Sequence, residues 1–299
     1  MKTKLIFLVM LMVCISCGTN NKPVSDTPTK NQSDYGSNPL AGKYLDINDI
    51  KLYYEVYGEG EPLLLLHGNS GSIKAGEYQI PELSKHFKVI AVDSRAQGKS
   101  TDSDKEITYA LMASDMNELI DKLKLGSVYI VGWSDGGNIG LELAFAHPEK
   151  VRKLVTFGAN YTYENFMAAP DSVVMDPNDS LIIKTSAFLQ IYKAGYDRIP
   201  PEIKKKLTDL TQKYPNFTKE LLRQIKMPVL IVVGDHDLIA LDQTITMFTS
   251  LPHSQLFIVP GATHFVPIEQ SKLINSEVIK FLNTPYGDIN RYYWLKYFE

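Results

Sequence analysis

The stretch VGWSDGG, residues 131–137, places a serine between two glycines in the pattern Gly-x-Ser-x-Gly. An apolar, β-rich run at 127–131 comes directly before it, and a helix-like run at 138–146 follows. This order of strand, tight turn and helix predicts that the hydroxyl of Ser134 stands above the end of a sheet, where it can act as a nucleophile. The backbone N–H of Asp135 opens the helix without a helical acceptor, so it can stabilise an oxyanion.

Two later segments supply the partners that such a serine needs. The run MPVLIVVG at 227–234 is typical of a buried parallel strand and ends in Asp-His-Asp, and the strand-like run at 255–259 leads into PGATHF. The expected order along the chain is serine, acid, histidine, each after a strand. The sequence therefore predicts Ser134 as nucleophile, His264 as general base and Asp237 as the acid that orients His264.

One alternative for the acid stays open at this stage. Asp235 follows the same strand two residues earlier than Asp237 and is the competing candidate. His236 lies between the two acids, but it precedes the expected position of the base, so we interpret it as a loop residue.

An upstream loop supplies the second candidate for oxyanion stabilisation. The apolar run PLLLL at 62–66 ends in HGNSGS. A His-Gly loop after such a strand provides a backbone N–H just past the glycine, which is that of Asn69. We interpret His67 as a structural residue that shapes this loop. An ordinary Gly-Ser turn is the alternative interpretation of the same residues.

Residues 88–100, KVIAVDSRAQGKS, resemble the Asp-x-Arg-Gly-x-Gly-x-Ser turn of the α/β-hydrolase superfamily, with Ala96 where that family usually has glycine. With the motifs above, the resemblance covers residues 43 to 283. It implies the α/β-hydrolase fold, a mostly parallel sheet with helices on both faces and a small helical cap. If Ala96 has a positive φ, its side chain strains this turn.

A closer resemblance concerns the motifs GWSDGG, HGNSGS at 67–72 and FGAN at 157–160. They are similar to those of the biphenyl-hydrolase-like group, which includes valacyclovir hydrolase, an enzyme that cleaves α-amino-acid esters. The resemblance implies that Asp135 holds the ammonium group of a substrate, and a carboxylate in a partly dry site can pair with such a cation. The alternative is that Asp135 is an acid in the first helical turn, which the helix dipole favours.

The remaining pattern predicts the domain organisation. Residues 43–160 and 225–284 form the core, which opens with an antiparallel hairpin turning at 48–49 and closes with a helix over 268–282. Residues 161–224 lack strand patterns and are expected to form the helical cap. The aromatic tail, 285–299, is expected to pack on the body, with a membrane surface or a partner as alternatives. The cap aromatics that are candidates to line the pocket, or to pack in the core instead, are Tyr161, Tyr163, Phe166, Phe188 and Tyr192.

The first residues predict export. Residues 1–16 combine lysines with a short apolar run, as a signal peptide does, and end before Cys17 in a sequence that resembles a bacterial lipoprotein processing box. We expect Cys17 to be lipidated, residues 17–42 to form a flexible tether, and the protein to be anchored to a membrane of the bacterial cell envelope. A cleaved signal without lipidation is the alternative. Both cysteines of the chain lie in this region, so the body has no thiol chemistry.

These features favour a serine hydrolase that cleaves small carboxylic esters, with α-amino-acid esters as the sharper hypothesis. The alternatives are a carbon–carbon bond hydrolase, a thioesterase or an amidase of the same fold, and a non-catalytic binding lipoprotein. The formal net charge of −3 comes without a basic run, a metal-ligand cluster or a phosphate-binding glycine loop. The sequence therefore predicts no cofactor, no metal and no nucleic-acid partner.

Overall fold

An eight-stranded sheet organises the computed structural model, which describes residues 34–164, 180–287 and 293–298. The strands are β1 (Gly42–Ile47), β2 (Ile50–Tyr57), β3 (Pro62–Leu66), β4 (Lys88–Val92), β5 (Val128–Trp133), β6 (Val151–Phe157), β7 (Val229–Gly234) and β8 (Ser254–Val259). Their order across the sheet is β1-β2-β4-β3-β5-β6-β7-β8. Strands β1 and β2 pair antiparallel, β2 pairs antiparallel with β4, and the pairs from β4 to β8 are parallel. This is the predicted α/β architecture.

Helices cover both faces of this sheet, because the central strands are apolar on both sides. Every residue of β5 and of β7 is buried, as expected for parallel strands between two helical layers. The helices are α1 (Ile80–Leu83), α2 (Tyr109–Lys122), α3 (Asp135–Ala146), α4 (Ser180–Asp197), α5 (Pro201–Lys213), α6 (Lys219–Leu222), α7 (Leu241–Ser250), α8 (Val266–Glu269) and α9 (Ser271–Asn283). The carboxyl ends of the parallel strands therefore meet at one edge, where sites form in such folds.

The amino-terminal boundary differs from the prediction. The β1–β2 hairpin turns at Asn48 as expected, but the fold begins before residue 43. The buried carboxylate of Glu55 accepts hydrogen bonds from the backbone N–H groups of Gly36 (2.8 Å) and Asn38 (2.9 Å). Residues 34–42 thus belong to the body and not to the predicted tether, whose polar composition did not reveal this anchor. The signal peptide 1–16, Cys17 and the tether up to residue 33 lie outside the described residues.

Three helices, α4 to α6, fill the described part of the segment predicted as the cap, and we call them the cap. Phe166 lies outside the described residues. At the carboxyl terminus the predicted single closing helix is two helices, α8 and α9, which meet at Gln270. Of the described tail residues, Tyr286 packs on His253 with ring centroids 5.5 Å apart, whereas Tyr297 is 84% exposed and Phe298 is 81% exposed. None of the described helices has the length and apolar character of a membrane-crossing segment.

Candidate active site

Ser134 sits in a left-handed turn between β5 and α3, with φ 52° and ψ −116°. Its N–H donates to the carbonyl of Phe157 at 2.7 Å, which ties the turn to the neighbouring strand β6. The two flanking glycines are required by close packing: a Cβ on Gly132 would lie 2.3 Å from the carbonyl oxygen of Gly136, and one on Gly136 would lie 2.3 Å from that of Leu66. The turn is therefore the predicted nucleophile elbow in its geometry.

His264 and Asp237 form a hydrogen-bonded pair beside this elbow. Asp237 follows β7, His264 follows β8, and the Nδ1 of His264 lies 2.8 Å from the Oδ1 of Asp237. The same oxygen accepts the N–H of Ile239 at 2.9 Å, which fixes the carboxylate. The indole N–H of Trp133 donates to the carbonyl of His264 at 2.9 Å and ties the histidine loop to the elbow.

Asp235, the alternative acid, has other partners. Its Oδ1 lies 2.7 Å from the Nδ1 of His236 and accepts the N–H of Gly261 at 2.7 Å. The histidine His236 is mostly exposed, as expected for a loop residue. The structure thus brings Asp237, and not Asp235, to His264.

Gly158 leaves the space that the histidine–aspartate pair occupies. It follows β6 with φ +56°, and a Cβ built there would lie 2.7 Å from the Nδ1 of His264 and 2.9 Å from the Oδ2 of Asp237. That Oδ2 is buried and has no hydrogen-bond partner among the described residues. Any side chain at position 158 would have to displace the pair, and its backbone conformation favours glycine as well.

Buried polar groups hold the loop of residues 67–72 in place. His67 accepts the N–H of Ser94 on Nε2 at 3.0 Å and contacts the carbonyl of Gly68 through Nδ1 at 2.7 Å. Burial lowers the pKa of His67 to about 4, so the ring is neutral and carries its proton on Nδ1. His67 is therefore structural, as the sequence suggested.

The next turn, residues 93–100, closes around a buried carboxylate. Asp93 accepts the N–H groups of Ile73 at 2.7 Å and of Lys99 at 2.8 Å, which joins this turn to the end of the 67–72 loop. Burial raises the pKa of Asp93 to about 7. Ala96, where the family usually has glycine, has φ 62°, so the departure does place a side chain in a left-handed position.

Asp135 is at the site, but its carboxylate already has two donors. The hydroxyl of Tyr109 donates to Oδ1 at 2.7 Å and the side-chain amide of Asn69 donates to Oδ2 at 2.9 Å. Asp135 is 4% exposed, and its burial raises the pKa of the carboxyl, although both hydrogen bonds oppose this. As the first residue of α3, it has no helical acceptor for its own N–H.

A cavity of about 470 Å³ joins these groups at the carboxyl edge of the sheet. It is lined by Asn69, Tyr109, Ser134, Asp135, Tyr163, Thr211, Gln212, Tyr214, Leu238 and His264. The cap helix α5 contributes Thr211 and Gln212 to this lining. Of the aspartate, glutamate, lysine, arginine and histidine residues, only Asp135 and His264 belong to this described lining.

Several residues of this site were not found from the sequence. Tyr109 opens α2 and belongs to no motif of the sequence, so nothing local indicates that its hydroxyl binds Asp135. Of the candidate cap aromatics, Tyr163 lines the cavity, Phe188 packs on Trp133 with ring centroids 5.7 Å apart, and Tyr161 packs against the core. The hydroxyl of Tyr192 donates to the carbonyl oxygen of Asn69.

Comparison with known proteins supports the same family. A family model for the alpha/beta hydrolase fold matches residues 61–179. The chain is 28% identical to serine hydrolase BPHL of Mus musculus over 249 residues, which is 79% of this chain and 84% of the relative. It is 25% identical over 287 residues, 87% of this chain and 96% of the relative, to the 2-hydroxy-6-oxo-6-(2'-aminophenyl)hexa-2,4-dienoic acid hydrolase of Metapseudomonas resinovorans.

A solved structure agrees at the level of the fold. The enol-lactonase from Burkholderia xenovorans superposes with a TM-score of 0.70 at 19% identity, covering 81% of this chain and all of that one. The sheet order, the matched residues and the hydrolases among the relatives lead to one conclusion. The chain belongs to the α/β-hydrolase superfamily and is a hydrolase of that fold.

Proposed function

We propose that this protein is a serine hydrolase for small carboxylic esters that works through an acyl-enzyme. The observation that carries the proposal is the His264–Asp237 pair, 2.8 Å apart, on the cavity that also exposes Ser134 at its elbow. With Nδ1 of His264 donating to Asp237, the Nε2 atom is the one left to take a proton from the serine hydroxyl.

The reaction then follows in two halves. The oxygen of Ser134 attacks the ester carbonyl as His264 takes its proton, and the negative charge on the carbonyl oxygen is stabilised by the N–H groups of Asn69 and Asp135. His264 returns the proton to the departing alcohol, which leaves the acyl group on Ser134. A water molecule, deprotonated by the same histidine, releases the carboxylic acid and restores the serine.

The charge of the cavity supports a preference among esters. The lining residues include no lysine or arginine. Residues 165–179, which lie outside the described residues and begin two positions after Tyr163, contain none either. A substrate carboxylate would lie near Asp135 without a cation to balance it, and burial makes such an unpaired charge costly. We therefore propose neutral esters, and esters with an ammonium group near Asp135, as the substrates.

A carbon–carbon bond hydrolase is the second candidate, and the relative from Metapseudomonas resinovorans is the observation that favours it. That enzyme is a hydrolase of a dienoic acid, so its named substrate is an acid. The absence of lysine and arginine from the described lining of the Ser134 cavity weighs against an acidic substrate here. The charge of the preferred substrate therefore separates the two candidates.

The test begins with Ser134→Ala, which should lower turnover of a simple aryl ester at least about 1,000-fold while the fold survives. A fluorophosphonate should label the wild type at Ser134 and leave the variant unlabelled. Retained turnover or labelling in the variant would defeat the assignment of the nucleophile.

A panel of aryl esters with matched neutral, ammonium-bearing and carboxylate-bearing acyl groups tests the charge preference. The carboxylate-bearing ester should have a kcat/KM at least about tenfold below that of the neutral ester. Asp135→Asn removes the negative charge and should narrow the differences within the panel. A carboxylate-bearing ester as the best substrate would contradict the proposal.

We also propose that Cys17 is lipidated and anchors the protein to a membrane of the bacterial envelope. The support is the sequence alone: a short apolar run followed by a small residue and Cys17. Metabolic labelling with an alkynyl fatty acid should mark the protein and should be lost in Cys17→Ser but kept in Cys14→Ser. Equal labelling of both variants would contradict the assignment of Cys17.

A further inference from the structure

We propose that the cap positions the oxyanion donor: the hydroxyl of Tyr192, on α4, holds the backbone of Asn69 so that its N–H faces the ester oxygen. Tyr192 is then a positioning residue, because it acts through Asn69 and does not line the cavity that holds Ser134. The inference rests on the proposed function, since it concerns the donor that stabilises the oxyanion.

The first step of the argument is the set of contacts around Asn69. Its carbonyl oxygen accepts the hydroxyl of Tyr192, and its side-chain amide donates to Asp135 at 2.9 Å and to the carbonyl of Leu207 at 3.2 Å. Its side-chain oxygen accepts the hydroxyl of Ser70 at 2.7 Å. Because the carbonyl and the side chain of Asn69 are both held, its Cα and backbone N atoms are held as well. The peptide unit that carries the N–H is also held at its other end, where the carbonyl of Gly68 accepts the N–H of Gly71 at 3.1 Å.

The second step is where these partners come from. Tyr192 lies on α4 and Leu207 lies on α5, so two of the contacts to Asn69 are made by the cap. Within the loop, Ser70 has φ 55°, a left-handed value that a serine adopts at a cost. The contacts inside the loop centre on the carbonyl of Gly68, which accepts the N–H of Gly71 and contacts Nδ1 of His67. The contacts from the cap are therefore the ones that hold the carbonyl of Asn69 itself and add to the support within the loop.

The third step concerns how firmly Tyr192 is itself placed. Its ring packs on Phe188 with centroids 6.1 Å apart, and Phe188 in turn packs on Trp133 and on Phe265. Burial raises the pKa of Tyr192 to about 12, and the negative charge of Asp135 contributes. The hydroxyl thus keeps its proton at neutral pH and remains a donor to Asn69.

A functional consequence follows from this arrangement. If α4 moves away from the body, the carbonyl of Asn69 loses its donor while Ser134, His264 and Asp237, which lie on the strand ends, keep their positions. The nucleophile and the base would remain together, but the oxyanion would lose a well-aimed donor. The complete site would then exist only when the cap is docked, which couples catalysis to the exclusion of water.

The test is Tyr192→Phe, which keeps the ring and removes only the hydroxyl. We expect kcat for a neutral aryl ester to fall about tenfold with KM within twofold, since an oxyanion contact acts in the transition state. The affinity for an alkyl boronic acid, which forms a tetrahedral adduct on the serine, should fall by a similar factor. Each kcat is calculated per active site labelled by fluorophosphonate, so that a smaller fraction of folded enzyme does not lower the value.

Tyr196→Phe is the matched control, because Tyr196 lies one turn further along α4 and its ring contacts Lys204 at 4.6 Å instead of the loop. It should leave kcat and boronic acid affinity unchanged. If Tyr192→Phe also leaves both unchanged, or lowers kcat without weakening the boronic acid, the inference is wrong. The proposed function is tested separately: turnover retained in Ser134→Ala would contradict it, whatever the result for Tyr192→Phe.

Discussion

The two sides of the Ser134 cavity are held in place by different means. On the sheet side, the positions of Ser134, Asp237 and His264 follow from strand ends and from turns whose backbone bonds are buried. On the cap side, α4 reaches the site through a few side chains, above all Phe188 and Tyr192, whereas α5 buries Leu207 and Leu210 in the core. The sheet side can change only if the core changes, whereas α4 can separate by losing a few contacts. We expect mutations on the two sides to affect different properties.

The largest effect should come from Phe188→Ala, which removes the main apolar contact of α4. Phe188 is 3% exposed, and truncating a buried phenylalanine costs about 3–5 kcal/mol. If the cap can separate from the core, much of this cost appears as early loss of the cap in urea. The neighbouring Leu189→Ala, at a side chain that is 39% exposed, is the control and should have a small effect. An unchanged urea profile for Phe188→Ala would contradict the role of this contact.

Gly158→Ala tests the sheet side in the same way. The added Cβ meets both His264 and Asp237, and misplacing a catalytic pair by about 1 Å can cost about 100-fold in kcat. Gly126→Ala is the matched control, because Gly126 has φ +70° with no atom within 4 Å of its Cβ position. Both variants carry left-handed strain, but only the first should lose activity. Equal kcat in the two variants would show that the space beside the pair is not needed.

A pH prediction concerns His67, beneath the loop that carries Asn69. Its pKa is about 4 in the folded protein and about 6.5 when unfolded, so the unfolded chain binds a proton that the folded chain does not between these values. Stability is therefore lost as the pH falls below about 6.5, by roughly 2 kcal/mol at pH 5. The free energy of unfolding of the wild type, measured from pH 7.5 to 5, should fall relative to that of His67→Asn.

The difference in free energy of unfolding between the wild type and His67→Asn isolates the contribution of His67. Asp93, whose pKa is raised to about 7, has the opposite sign: the folded chain binds its proton first, so this group adds stability as the pH falls below about 7. It titrates in both the wild type and His67→Asn and cancels in the comparison. Parallel pH profiles for the two proteins would contradict the assignment to His67.

The smallest effect should come from Gly195→Ala, on the exposed part of α4. A Cβ there meets no atom within 4 Å, and replacing glycine by alanine within a helix stabilises it by up to about 1 kcal/mol. A stiffer α4 should raise the urea midpoint slightly and leave kcat unchanged. A fall in stability would mean that the helix needs the freedom of glycine at this position.

The sheet side was predictable from the sequence because its signals are local. The glycines around Ser134, and the strands before Asp237 and His264, are each visible within ten residues of sequence. Parallel strands bring such ends to one edge, so the convergence of the three side chains follows from the fold. Gly158 also lay in a quoted motif, but its contact with the pair needed coordinates.

The cap side and the amino-terminal anchor were not predictable, for a common physical reason. Tyr192 and Asn69 are 123 residues apart, and a single hydroxyl bound to a carbonyl leaves no periodic pattern. Glu55 looks like an exposed strand residue, yet it is fully buried because the backbone of residues 36–38 and two tyrosine hydroxyls satisfy it. When two polar groups that are distant in sequence form a hydrogen bond, the local sequence around each group does not predict the bond.

The indole of Trp133 gives this enzyme a built-in optical reporter. Its ring touches Phe188 of the cap and its N–H binds the carbonyl of His264, so its emission should respond when either element moves. The chain has one other tryptophan, Trp294, and replacing that residue with phenylalanine would leave a single emitter at the site. Stopped-flow fluorescence could then time the motion of the cap against each turnover, without any added dye.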